Sequence, residues 1–163
     1  MSYQFSDHVT PGVGKLKPYQ PGKPIAEVVH ELGLAETNII KLASNENPLG
    51  PSALVLAAIR AESTGLTHYP DGSGHQLKQA LANKFGIDPN TITLGNGSND
   101  VLDLIVRAWV AANDEVIFSE YGFAIYPIAT LAANGKPVQI PAKDYGYDPV
   151  SYTHLTLPTS DLV

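Results

Sequence analysis

The sequence predicts an α/β fold, in which a mainly parallel sheet is flanked by helices. Three observations predict it. From residue 91 onward the order is strand, helix, strand, helix, strand, and such alternation argues for parallel strands joined by helical crossovers. The chain has 163 residues, 44% of them hydrophobic, the size and composition of one globular domain or part of one. The 14 glycines and 13 prolines make it loop-rich, with no collagen-like period.

The elements follow in order. Residues 1–23 read as an arm, because Pro11, Pro18 and Pro21 with Gly12, Gly14 and Gly22 disfavour regular structure. Lys17-Pro18-Tyr19-Gln20-Pro21 should be extended, since residues before proline avoid the helical region. Pro24 suits the first turn of a short helix with Ile25, Val28, Val29 and Leu32 on one face and Gly33 as its stop. Ile39–Leu42 reads as a short strand and Ala43–Gly50 as a polar loop. Pro51 opens a helix to Glu62, and Leu54, Leu56, Ala58 and Ile59 predict that it is well buried. After a loop over 63–74, a helix over 75–85 should bury Leu77, Leu81 and Phe85 and end at Gly86. Thr91–Leu94 then reads as a strand and Gly95-Asn96-Gly97 as a tight turn. A helix from Asn99 to Val110 should bury Leu102, Ile105 and Trp109. Strands at Val116–Phe118 and Val138–Ile140 bracket a helix over 123–133 with Gly135 as its stop.

Composition narrows the function. Lys and Arg number 10 against 16 Asp and Glu, a net charge of -6, and nothing basic clusters, so the chain is no non-specific nucleic-acid binder. The absence of cysteine removes disulfides, thiolate catalysis, zinc ribbons and iron–sulfur ligation together. Met1-Ser2-Tyr3-Gln4-Phe5-Ser6-Asp7-His8 lacks the basic flank and apolar core of a signal peptide. The uncharged stretch Tyr121–Gly135, broken by Pro127 and Asn134, is shorter than the ~20 residues that span a bilayer. These features predict a soluble, cytoplasmic protein.

The segment richest in chemistry is Thr91-Ile92-Thr93-Leu94-Gly95-Asn96-Gly97-Ser98-Asn99-Asp100, read as strand, glycine turn, helix. A helix N-terminus presents backbone N–H groups without intrahelical partners, and its dipole favours negative charge. Gly97 would let an anion approach the backbone, and Ser98 and Asn99 add side-chain donors, so the segment is a ready site for a phosphate. The same residues are equally well explained as a turn in which Ser98 or Asn99 caps the helix. Asp100 occupies the third-glycine position of the dinucleotide fingerprint, which disfavours that site, and no Gly-Lys-Ser/Thr follows to make a P-loop. Tyr121-Gly122-Phe123-Ala124-Ile125-Tyr126-Pro127 follows the next strand, at the strand ends where parallel sheets bind ligands. An aromatic there could stack on a flat ring, although periodicity alone makes Phe123 and Tyr126 core residues.

Three segments in this order, Leu42-Ala43-Ser44-Asn45-Glu46-Asn47-Pro48-Leu49-Gly50-Pro51, Tyr69-Pro70-Asp71-Gly72 and Gly95-Asn96-Gly97-Ser98-Asn99-Asp100, resemble the N-terminal part of the histidinol-phosphate aminotransferases. Those enzymes use pyridoxal 5′-phosphate (PLP) and belong to the fold-type I, class I/II aminotransferases. The resemblance covers roughly residues 5–148. It implies that Gly97, Ser98 and Asn99 hold the cofactor phosphate, and that Phe123 stacks on the pyridine ring where many members have tyrosine, with Tyr121 as second choice. It implies that Tyr69 reaches the cofactor phosphate of a partner subunit, hence a homodimer, and that Tyr19 and Asn45 lie near the substrate. The implied reaction moves an amino group between histidinol phosphate and 2-oxoglutarate, the glutamate side, in histidine biosynthesis. No nucleic acid or membrane takes part.

The same resemblance implies a Schiff-base lysine, an acidic partner for the pyridinium nitrogen and substrate-gripping arginines, all beyond this chain's end. None of Lys15, Lys17, Lys23, Lys41, Lys78, Lys84, Lys136 and Lys143 stands in the family's lysine motif, so no catalytic residue and no metal ligand is assigned. The expected organisation is an arm and small-domain lead-in over 1–50, the first part of the PLP-binding large domain over 51–148, and a non-native tail over 149–163. Pro149-Val150-Ser151-Tyr152-Thr153-His154-Leu155-Thr156-Leu157-Pro158-Thr159 resembles a translated sequencing-library adapter; the alternative is a native strand, since Thr153, Leu155 and Leu157 alternate. A parallel sheet cut midway exposes an edge and apolar faces, so the isolated chain is expected to be poorly soluble and inactive. Rival readings are threonine-phosphate decarboxylase, an aromatic aminotransferase, or a non-catalytic phosphate-binding module.

Overall fold

A computed structural model of the chain describes residues 8–156. The opening Met1–Asp7, read above as part of a segment without signal-peptide character, lies outside the described residues, as does the tail from Leu157. The chain forms two compact units.

The unit Gln20–Ile92 is helical. Helix α1 (Ile25–Leu32) ends as expected at Gly33, whose φ of 62° lets its N–H reach the Val29 carbonyl at 2.9 Å. Lys23 braces this helix from outside, its Nζ lying 2.7 Å from Glu31 Oε1 and 3.8 Å from Glu27 Oε1. Helix α2 (Ala53–Glu62) starts two residues after Pro51, because the Ser52 hydroxyl caps it by accepting the Val55 N–H at 3.3 Å. Helix α3 (His75–Phe85) has the expected bounds and stops at Gly86 with φ 67°.

Three expectations fail in this unit. Ile39–Leu42 is not a strand: Ile39 has extended backbone, but no neighbouring edge among the described residues pairs with it, and Ile40 and Leu42 are exposed. Helix α2 is not buried; Leu54, Val55, Leu56 and Ile59 all face solvent. In α3 only Ala82 is buried, while Leu77 and Phe85 are exposed. The apolar periodicity is real in both helices, yet periodicity names a face without supplying what covers it.

The second unit joins the arm up to Tyr19 with the chain from Thr93. The strand expected at Thr91–Leu94 is absent. Pro89–Thr91 is a single 3-10 turn, capped by the Asp88 carboxylate on the Asn90 N–H at 2.8 Å, and residues 92–95 pair with no strand among the described residues. Helix α4 (Ser98–Trp109) buries Val106 rather than Ile105 or Trp109, which are exposed; Leu102 is half-buried. Strand β1 (Glu115–Ser119), helix α5 (Ile125–Ala132) and strand β2 (Lys136–Ile140) form the expected βαβ unit. The strands pair in parallel from Glu115↔Lys136 to Ser119↔Ile140.

This βαβ unit holds the core. Ile140, Ala129 and Val106 are buried, with Ser119 and Thr130 among them. The Thr130 hydroxyl is satisfied by donating to the Tyr126 carbonyl at 2.7 Å. Helix α5 packs on both strands and on α4. Its left-handed stop is Asn134 (φ 61°), one residue before the expected Gly135. Gly135 is glycine for space: a Cβ there would lie 2.9 Å from Val110 Cγ1 and 3.0 Å from Thr130 Cγ2. The segment offered above as an alternating strand is instead helix α6 (Pro149–Thr156). Its Tyr152 shares a cleft with Val116 and Phe118 of β1, Tyr126 of α5 and Tyr147. No helix of the described residues is long and apolar enough to cross a membrane.

Candidate functional site

The glycine turn opens α4 as the sequence suggested. The Gly97 N–H donates to the Gly95 carbonyl at 2.9 Å, and Gly97 has φ 84° and ψ 176°, backbone that side-chain-bearing residues rarely adopt. A Cβ at Gly97 would meet nothing within 4 Å, so the space in front of the turn is open. Gly95 serves differently: a Cβ there would lie 2.8 Å from Val101 Cγ2 and 3.0 Å from Asp100 Oδ2. One glycine supplies the dihedral and the other the clearance.

Of the two readings left open for Ser98 and Asn99, the capping one is not adopted. No side chain caps α4, and both residues are exposed. Among the described residues no hydrogen bond engages either side chain. Asp100 was missed as a structural participant. Its carboxylate turns back from the first helical turn and accepts the Asn96 N–H at 2.9 Å, stiffening the turn. The signal was in the sequence, as an acidic residue in the first turn of a helix.

The aromatic segment leaves β1 at its carboxyl end. Gly122 makes the turn, its N–H donating to the Ser119 carbonyl at 3.0 Å, and a Cβ there would fall 2.7 Å from that same oxygen. Phe123 is 39% exposed and meets Tyr126 edge-on, centroids 6.2 Å apart at 87°. The ring is therefore held by packing while part of it remains accessible, which suits a stacking platform. Tyr121 sits in the left-handed region (φ 60°) and lies against Tyr145, itself at φ 61°, with centroids 5.8 Å apart. Among the described residues no hydrogen bond or ring contact joins Ser98 or Asn99 to Phe123.

Tyr19 belongs to the same unit and is half exposed. Asn45 and Tyr69 belong to the other unit. Asn45 takes a left-handed turn (φ 51°) beside the Lys41–Glu46 ion pair at 2.6 Å. Tyr69 is fully exposed, on a loop fixed by its neighbour Asp71. The Asp71 carboxylate accepts the Ser73 hydroxyl at 2.8 Å, the Ser73 N–H at 2.9 Å and the His75 N–H at 2.7 Å. These bonds, the Ser73 hydroxyl first, hold its pKa below the ordinary carboxylate value. Among the described residues no cluster of His, Asp and Glu could hold a metal ion.

The unit thus presents a helix N-terminus with open space at Gly97, two exposed side chains there without hydrogen-bond partners among the described residues, and a partly exposed aromatic after β1. Residues 37–156 match the model of the family described as aminotransferase class I and II. The chain is 53% identical over 145 residues to histidinol-phosphate aminotransferase 2 of Pasteurella multocida, covering 89% of this chain and 39% of that protein. It is 52% identical over 148 residues to histidinol-phosphate aminotransferase of Stutzerimonas stutzeri, covering 91% and 40%. The structure resembles that of histidinol-phosphate aminotransferase from Sinorhizobium meliloti in complex with pyridoxal-5′-phosphate, with a TM-score of 0.68, 30% identity, and 84% of this chain and 36% of that one covered. The chain thus spans about two fifths of the length of the curated relatives it matches.

Proposed function

This chain belongs to the class I and II aminotransferases, and from that premise we propose that the protein carrying it is a PLP-dependent histidinol-phosphate aminotransferase. Its substrates are histidinol phosphate and 2-oxoglutarate, with glutamate on the return side. It works as a cytoplasmic homodimer in histidine biosynthesis. Residues 51–148 form the first part of its cofactor-binding domain, behind an arm and lead-in over 1–50. The observation that carries this reading is 53% identity over 145 residues to an enzyme of that name.

PLP, when bound, supplies the electron sink for amino transfer. This chain's residues bind and orient. The amides opening α4 at Ser98 and Asn99, with both side-chain donors, hold the phosphate, and Gly97 keeps the approach clear. Asp100 accepts the Asn96 N–H and so steadies the turn that leads into the helix. Phe123 stacks on the pyridine ring, its own ring braced by perpendicular contact with Tyr126. The exposed Tyr69 reaches the cofactor phosphate of a second subunit, and Tyr19 and Asn45 contact the substrate.

The reading is tested by assaying the protein that carries this chain for glutamate formed from histidinol phosphate and 2-oxoglutarate, with PLP followed by its absorbance. Turnover that depends on PLP is expected, with Phe123→Ala and Ser98→Ala weakening cofactor affinity. A protein without PLP absorbance overturns the cofactor assignment. Turnover of aromatic amino acids in preference to histidinol phosphate overturns the substrate assignment.

A further inference from the structure

A long-range hydrogen bond ties the N-terminal arm to the end of α5. Gly12 is buried, and its N–H donates to Asn134 Oδ1 at 2.8 Å, across 122 positions of sequence. A side chain at this position has no room, because its Cβ would overlap the Leu131 carbonyl oxygen. The arm then coils about the anchor, with Gly14 N–H on the Thr10 carbonyl at 3.2 Å and Lys15 N–H on the Gly12 carbonyl at 3.1 Å.

Asn134 is built to hold this contact. It is the left-handed stop of α5, where glycine would be the less strained choice. Its N–H donates to the Leu131 carbonyl at 2.9 Å and its carbonyl accepts the Asn113 N–H at 3.0 Å. The backbone is thus fixed on both sides, and the carboxamide has a set direction. A plain helix stop needs no side chain, and this one spends its side chain on the arm. From Gly12 to Tyr19 the chain reaches at most about 25 Å at ~3.6 Å per residue, less the shortening of the 3-10 turn Val13–Lys15.

We propose that Asn134 is the positioning residue of the arm: through Gly12 it sets the place from which Tyr19 is presented to the substrate. The part concerning Tyr19 rests on the aminotransferase reading; the latch does not.

Trypsin tests the latch directly. The Lys15–Leu16 bond is the only efficient site in the arm, because Lys17 and Lys23 precede proline. Asn134→Gly removes the carboxamide while easing the backbone, so the fold should survive and release of the 1–15 peptide should be roughly five- to tenfold faster, the effect of losing one hydrogen bond. Asn134→Asp keeps an acceptor and tolerates the left-handed backbone, so it should cleave like wild type. Gly12→Ala should behave like Asn134→Gly, with cleavage at Arg60 unchanged as the control. In the transamination assay Asn134→Gly should raise KM for histidinol phosphate several-fold with kcat within about twofold. Unchanged Lys15 cleavage in both Asn134→Gly and Gly12→Ala overturns the latch. Faster cleavage with an unaltered KM overturns the positioning role. A wild-type protein with no transaminase activity refutes the aminotransferase reading and the role of Tyr19 with it, while the Lys15 cleavage still decides the latch.

Discussion

The Glu120 carboxylate accepts the backbone N–H of Ala142 at 3.1 Å, pinning the loop that leaves β1 to the loop that leaves β2. The Glu120 N–H donates in turn to the Ile140 carbonyl at 2.7 Å, so the pairing of the two strands continues one step past the ladder. These are the carboxyl ends of neighbouring parallel strands, the edge at which such sheets bind ligands. Phe123 lies three residues further on and inherits its placement from this joint. Replacing Glu120 by Ala leaves the Ala142 N–H without its acceptor and should cost about 1–2 kcal/mol. Glu120→Gln keeps an oxygen in place and should recover most of that. Amide exchange at Ala142 reads the effect: faster in Glu120→Ala, near wild type in Glu120→Gln. Equal rates in all three proteins would remove Glu120 from this role.

The core predicts a sharp contrast between two aliphatic residues. Ile140 is 1% exposed, and Leu54 is 83% exposed. Ile140→Ala should lower the stability of the βαβ unit by roughly 2–5 kcal/mol, through lost transfer energy and a cavity that neighbours fill only partly. Leu54→Ala should stay within about 0.5 kcal/mol, as surface substitutions do. Urea unfolding followed by circular dichroism measures both. Similar losses at the two positions would show that the core does not lie around β2.

Much of this was legible beforehand, and the failures share one cause. Helix α3 could be read to its last residue because its signals are local: apolar spacing and Gly86 at the stop. The parallel pairing of β1 and β2 could be read because strand and crossover alternate within a short stretch. Ile39–Leu42 and Thr91–Leu94 have strand-like composition, but a strand exists only when a second edge pairs with it, and composition does not report partners. The exposed faces of α2 and Trp109 fail for the same reason. The Gly97–Ser98–Asn99 terminus was visible as a turn before a helix, whereas the return of Asp100 onto Asn96 and the grip of Asn134 on Gly12 depend on geometry that residue types do not fix.

The two glycines before α4 predict separable defects. Gly97→Ala has room for its methyl group but not the backbone freedom, and strain of this kind costs about 1–3 kcal/mol. Gly95→Ala has ordinary backbone but drives its methyl group into Val101 and the Asp100 carboxylate. Both should loosen the turn and weaken PLP affinity, and Ser98→Ala should weaken it less, since backbone amides remain. Equilibrium titration with PLP, followed by absorbance, ranks the three. Wild-type affinity in Gly97→Ala would mean that the left-handed turn is not part of the phosphate cradle.

Helix α6 predicts a pH dependence. The Asp148 carboxylate accepts the Ser151 hydroxyl at 2.6 Å and the Val150 N–H at 3.2 Å, capping the first turn. These bonds, the Ser151 hydroxyl first, hold its pKa below the ordinary carboxylate value. A carboxylate with a depressed folded pKa stabilises the fold fully above the unfolded pKa, and the contribution vanishes as pH falls through the folded one. Helix α6 should therefore be intact at neutral pH and should loosen below about pH 4. Tyr152 reports it, because its ring lies 6.4 Å from that of Tyr147 in the cleft they share with Tyr126. Near-ultraviolet circular dichroism of the tyrosines should decline over that acid range in the wild type. Asp148→Asn should show a weaker signal at neutral pH and little further change on acidification. An acid transition of the same midpoint and amplitude in Asp148→Asn would assign the loss of α6 to another group.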